Sequence, residues 1–227
     1  MPIKLIVFDM AGTTVKDEDE VTNTFKAALE KYGYNVPTEM VNPLMGYEKK
    51  VAITKMLHLK ETDSSKITPE LISNIHKEFI SLMVKHYQQT PALVALPHAE
   101  ETMLALRNAG IKIGINTGFS RVIADTIVDC MQWRQKGIFD YLIGSDEVEH
   151  GRPDPTMINR MMAEAGITDP QEVAKVGDTE VDVREGQNAG CKYVIAVTTG
   201  AFTRAELEPY KPTHIIDDIA EVLSIIN

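Results

Sequence analysis

Short apolar runs rich in β-branched residues recur along this chain, at Ile3–Phe8, Ile111–Ile115, Tyr141–Ile143, Val173–Val176, Tyr193–Val197 and His214–Ile216. A run of that length without polar alternation predicts a strand covered on both faces. Between the later runs lie helical patterns, roughly Ala99–Ala109, Arg121–Met131, Pro155–Ala165 and Glu180–Ala189. Strands alternating with helices require right-handed crossovers. The expected fold is therefore α/β, a doubly wound parallel sheet.

The alternation breaks once, between Phe8 and Ile111. A structureless loop of that length does not fit a compact domain. The stretch carries helical periodicity instead, at Val21–Tyr32, Glu48–Leu57 and Pro69–Tyr87, and few strand signals. We expect an inserted all-helical domain over residues 17–90, with the α/β core formed by residues 1–16 and 91–227. The return linker falls in Gln88–Pro97, which carries Pro91 and Pro97.

A net charge of −10 without a Lys/Arg block argues against nucleic acid and anionic membrane surfaces as partners, because both demand a basic face. It permits a small phosphate ligand in a locally positive pocket. No apolar stretch reaches membrane-spanning length. The start of the chain runs into a charged Asp9 with no signal-peptide pattern. Cys130 and Cys191 lack metal spacing and are expected to be reduced thiols, so a cytoplasmic protein is the expectation. The histidines (His58, His76, His86, His98, His150, His214) show no metal spacing either.

Ligands of an open α/β sheet bind at the carboxyl ends of the strands. Those positions hold Asp9-Met10-Ala11-Gly12-Thr13-Thr14, Asn116-Thr117-Gly118-Phe119, Gly144-Ser145-Asp146 with Gly151-Arg152-Pro153 soon after, and Gly177-Asp178-Thr179-Glu180-Val181-Asp182. Each piece alone is an ordinary turn or cap signal. Together they set carboxylates, a hydroxyl and a cation around one crevice, as phosphoryl transfer requires. A carboxylate nucleophile approaches an anionic phosphorus only if charge is offset, so Mg²⁺ and a cation belong between them. Asp9 can bind the metal through one oxygen and attack with the other. Asp178 is the expected second ligand, with Asp182 one turn on to hold the metal or its water. Thr117 offers a hydroxyl to phosphate oxygens, and Arg152 a fixed charged fork.

These pieces resemble, in order and across the core, the four motifs of the haloacid dehalogenase superfamily, and the insert resembles its helical cap. The resemblance implies a Rossmann-like core, Mg²⁺ and an aspartyl-phosphate intermediate on Asp9. It adds Ala11 to Asp9, Asp178 and Asp182 around the metal, and Gly12, Thr13, Met45 and Gly118 as substrate-binding positions.

Phosphatases of that superfamily carry a leaving-group acid two residues after the nucleophile. This chain has Ala11 there. An alkoxide leaves poorly without an acid, so either the leaving group needs no proton or another residue assists. Met45-Gly46-Tyr47-Glu48-Lys49, together with Asp-x-Ala-Gly-Thr-Thr, is similar to the phosphonoacetaldehyde hydrolase (phosphonatase) branch. There a cap lysine forms an imine with the substrate aldehyde and carbon leaves as an enamine; the resemblance assigns that role to Lys49. A helix start, the neighbouring Lys50 and closure of the cap would all lower its pKa, while Glu48 opposes them. The branch's histidine three residues on is Ala52 here, and its tyrosine after the Thr-Gly motif is Phe119. The expected substrate is a small phosphonate or phosphorylated metabolite, and a homodimer is left open. A phosphatase acting on an acyl phosphate, pyrophosphate or phosphoglycolate-like substrate is the alternative. A haloacid dehalogenase is disfavoured by the kept metal pattern, and a phosphorelay receiver by chain length.

Overall fold

The computed structural model describes residues 2–89 and 93–226; Pro91 and the expected 90/91 boundary lie outside them. Six strands form one parallel sheet: β1 (Leu5–Phe8), β2 (Lys112–Thr117), β3 (Tyr141–Gly144), β4 (Val173–Gly177), β5 (Tyr193–Val197) and β6 (His214–Ile216), in the order β3-β2-β1-β4-β5-β6. The order reverses beside β1, which places a crevice at its carboxyl end.

The sheet is covered on both faces, as the continuous apolar runs demand. Ile6 and Phe8 face one cluster with Ile113, Ile115, Met103 and Ile123. Leu5 and Val7 face the other, with Met157, Met161 and Val183. The helices are α1 (Glu20–Glu30), α2 (Thr38–Val41), α3 (Lys49–Lys60), α4 (Pro69–Gln89), α5 (Ala99–Asn108), α6 (Arg121–Cys130), α7 (Trp133–Lys136), α8 (Thr156–Glu164), α9 (Glu180–Ala189), α10 (Arg204–Leu207) and α11 (Val222–Ile226). So α5 and α6 cover one face, and α8 and α9 the other. Among the described residues no helix is long and apolar enough to cross a membrane.

The insert comprises α1 to α4, which leave and return along paired strands of chain. Lys16 N–H donates to Val94 O (3.1 Å) and Leu96 N–H to Thr14 O (3.0 Å). Phe25 of α1 meets Phe79 of α4 with ring centroids 4.4 Å apart. Phe79 in turn stacks toward Phe119 of the core at 6.5 Å. The insert and one sheet face therefore share a single apolar cluster.

Candidate active site

The register sets the stage. Phe8 pairs with Ile115 on one side and Val176 on the other, so the next residues on three adjacent strands are Asp9, Asn116 and Gly177. Asp9 N–H donates to Val176 O (2.9 Å), and the loop then curls back, with Thr14 and Val15 N–H both donating to Met10 O. Thr14 Oγ1 donates to Asp9 O (3.0 Å). Gly12 has φ +84°, and a Cβ there would stand 2.6 Å from Asp178 Oδ2. A tight left-handed turn against a carboxylate admits only glycine.

Asp9, Asp178 and Asp182 are buried, with ligand oxygens all within 4.8 Å of one another. Arg152 Nη1 donates to Asp9 Oδ1 (2.6 Å) and also to Asp182 Oδ1. Lys175 Nζ adds ion pairs to Asp182 (3.1 Å) and Glu185 (3.1 Å), and donates to Asn116 Oδ1 (2.6 Å). Asn116 Nδ2 donates to Glu185 Oε1 (2.7 Å). Burial pushes Asp9 up from its ordinary value, though Arg152 opposes this. Burial and the neighbouring Asp9 and Asp182 push Asp178 well above it. Burial would raise Asp182 too, but Arg152 and Lys175 hold it below. Crowded carboxylates that resist ionising together are the donor set a hard divalent cation reverses, so these residues fit one.

Asp178 is fixed by Thr13 Oγ1 (3.1 Å) and Ala201 N–H (2.7 Å). Thr13, expected to bind substrate, is fully buried and spends its hydroxyl on that carboxylate. Its place is behind the site. Asp182 is also drawn inward, accepting from Thr179 N–H and Oγ1 as the third residue of α9's capping box. Arg152, expected to fork a phosphate, has Nη1 shared by two carboxylates and a buried Nε that bonds no protein atom.

A cavity of about 160 Å³ lies between sheet and insert. Asp9, Ala11, Gly12, Thr117, Arg152 and Asp178 line it from the core, and Met45 and Lys49 from the insert. Lys49 is the first residue of α3 and only 4% exposed. Its Nζ lies 4.8 Å from the Phe119 ring centroid and 5.5 Å from that of Phe25. Its hydrogen-bond acceptor is Tyr47 O at 3.5 Å, and among the described residues no carboxylate lies in ion-pair contact with it. Burial, then the charge of Arg152, lower its pKa to about 8, while Asp9, Asp17 and Glu48 oppose. Desolvation, one of the three causes expected from sequence, is thus the leading one, and Arg152 rather than Lys50 is the cation that adds to it.

Gly118, expected to bind substrate, lines the cavity and also serves a second purpose. A Cβ there would stand 2.5 Å from Tyr47 O and 2.6 Å from Gly46 O. Gly46, at φ +80°, abuts Thr179 and Val181 in the same way. Two glycines let the insert's loop seat on the strand ends. Thr117 Oγ1 accepts from Phe119 N–H (3.1 Å), which turns the chain after β2.

Sequence reasoning missed Lys175, Glu185, Asn116 and Asp17. Lys175 left a signal: a lysine inside a run that must be covered on both faces needs anionic partners. Asp182 and Glu185, three apart on α9, supply them on one helix face.

Residues 6–196 match the sequence profile of the haloacid dehalogenase-like hydrolases. The chain belongs to that family, and is an enzyme of the hydrolase class. It is 32% identical over 220 residues to the bifunctional phosphonoacetaldehyde hydrolase/aminoethylphosphonate transaminase of Clostridioides difficile, taking in 91% of this chain but only 34% of that protein. It is 28% identical over 228 residues to pyrophosphatase PpaX of Bacillus mycoides, covering 100% of this chain and 98% of that one. The crystal structure of a phosphonoacetaldehyde hydrolase-like protein from Oleispira antarctica superposes with a TM-score of 0.83 at 21% identity, covering 100% and 92% of the two chains. That likeness speaks to the fold alone.

Proposed function

We propose that this enzyme cleaves the carbon–phosphorus bond of a small phosphonoaldehyde such as phosphonoacetaldehyde, with residues 17–90 acting as the cap over the site. One observation carries the reading: the Lys49 amine lines the same cavity as Asp9, with no carboxylate in ion-pair contact among the described residues and a pKa lowered to about 8. A solvated lysine is almost wholly protonated at neutral pH; with a pKa of about 8, roughly a tenth of this amine is free to act as a nucleophile there. A cavity of about 160 Å³ suits a small metabolite.

In the proposed sequence, Lys49 Nζ adds to the aldehyde carbon and water is lost, leaving a protonated imine. An Asp9 oxygen then attacks phosphorus. The carbon–phosphorus bonding pair flows into the imine nitrogen, giving an enamine on Lys49 and phosphate on Asp9. Water releases phosphate from Asp9, and protonation and hydrolysis of the enamine release the aldehyde and the amine. Ala11 is tolerated because carbon leaves into an electron sink and needs no acid from the core. Asp9 and Asp178 would hold Mg²⁺ with the Ala11 carbonyl, and Asp182 would brace the site through Arg152. When bound, Mg²⁺ offsets the charge between carboxylate and phosphorus.

Borohydride added during incubation with phosphonoacetaldehyde should trap a covalent adduct on Lys49, read by peptide mass. Lys49→Arg should lose adduct and cleavage together. A second reading, a phosphatase for a pyrophosphate-like substrate, also accommodates Ala11, because that leaving group departs without an acid. Undiminished activity of Lys49→Arg on pyrophosphate, with no adduct in the wild type, would establish it instead.

A further inference from the structure

Forming an imine needs an acid: the hydroxyl of the carbinolamine departs as water only if it is protonated. The titratable groups lining the cavity are Asp9, Asp17, Asp19, Lys49, Arg152 and Asp178. Asp9 is the nucleophile and Asp178 is bound to Thr13 and Ala201. Arg152 does not release a proton, and Asp19 is exposed. Asp17 remains.

Its surroundings suit the task. Asp17 is half-buried at the root of the insert, next to Lys16, whose N–H is anchored on Val94. Its Oδ1 accepts from Val21 N–H (3.3 Å), which fixes the carboxyl against the start of α1. The neighbouring Glu20 carboxyl on the first turn of α1 raises Asp17 beyond what burial does. Glu20 accepts from Glu18 N–H, which favours the charged form of Glu20, the opposite direction to Asp17. The charges and phenol facing the pair are Lys49 from α3, and His86 and Tyr87 from α4. Asp17 and Lys49 line the same cavity, beside the edge-on pair of Tyr87 and Phe119 at 6.4 Å, whose Phe119 ring lies beneath Lys49.

We propose that Asp17 is a further catalytic residue, the acid that protonates the departing carbinolamine hydroxyl at Lys49. This rests on the imine reading above. The Asp17 carboxyl gives its proton to the hydroxyl oxygen, the carbon–oxygen bond breaks, water leaves, and the nitrogen lone pair closes the C=N bond. The carboxylate left behind takes the proton back when water adds to the product imine. Burial, then the Glu20 hydrogen bond, raise Asp17 to about 7, so the acid form persists near neutrality.

The test is the rate of borohydride-trapped adduct on Lys49, with phosphonoacetaldehyde as probe, across pH. Wild type should give a bell centred between about 7 and about 8, the values of Asp17 and Lys49. Asp17→Asn keeps an acceptor for Val21 N–H and should slow the adduct about 10²-fold. Its profile should rise with pH and lose the alkaline fall. Asp17→Glu should recover part of the rate and the bell, which a folding defect would not. Wild-type rate and profile in Asp17→Asn would overturn the role of Asp17 alone. No adduct in the wild type would overturn the imine reading and this role with it.

Discussion

Lys49 Nζ lies 4.8 Å from the ring centroid of Phe119, a buried ammonium placed on an aromatic face at the seam between insert and core. The ring returns part of the lost hydration, but not all of it. The folded pKa is about 8 against an ordinary 10.5. Below about 8 the amine is protonated folded or unfolded, and the burial penalty is borne in full. Between about 8 and 10.5 the unfolded chain binds more protons, so stability should rise with pH across that window. Lys49→Met should remove both penalty and slope. We expect roughly 1–2 kcal/mol of added stability at neutral pH, seen as a higher urea midpoint, with cleavage abolished. A destabilised Lys49→Met would contradict a costly buried ammonium.

Arg152 Nη1 is the shared donor of Asp9 and Asp182, with its side chain 1% exposed. Arg152→Ala would leave two buried carboxylates facing each other. Removing one partner of such a set costs about 3–5 kcal/mol. Equilibrium unfolding should show that loss, and acid should relieve part of it by protonating Asp9. A loss under about 1 kcal/mol would mean that the guanidinium contributes little to the resting fold.

The metal prediction is read without turnover. A ligand that binds only the folded state raises the melting point with its concentration. Mg²⁺ should therefore stabilise the wild type, and a chelator should reverse the effect. Asp178→Asn should abolish the response while raising the metal-free melting point, because one of three crowded carboxylates is gone. Equal Mg²⁺ responses in wild type and variant would place the ion elsewhere.

The sheet was legible because burial on both faces leaves no polar alternation: β1 to β6 sit within a few residues of the apolar runs. The strand-end residues were legible because parallel topology sends every carboxyl end to one crevice. What the pattern does not carry is how side chains divide the charges once there. Thr13, a substrate-binding position by resemblance, holds Asp178, and Arg152, expected as a charged fork for phosphate, is shared between Asp9 and Asp182. Asp17 carries no signal in the sequence, because its place on the cavity wall depends on how the insert folds back over the core.

The seam between insert and core gives the last prediction. A Cβ at Gly118 would meet two backbone oxygens, those of Gly46 and Tyr47, and backbone cannot swing aside as a flexible side chain can. The loop is pinned from behind as well, since Gly46 already abuts Thr179 and Val181. Gly118→Ala must therefore lift the Met45–Tyr47 loop from the strand ends, while the apolar faces of β2 stay as they are. Lys49, two residues beyond Tyr47, would regain water. Its pKa should then climb from about 8 toward 10.5. Acylation of Lys49 followed by peptide mass against pH reads this directly: the half-reaction pH should move upward in Gly118→Ala, and adduct formation at neutral pH should fall in step. An unchanged acylation profile would show that the loop does not seat through Gly118 and that the amine is tuned by something other than closure of this seam.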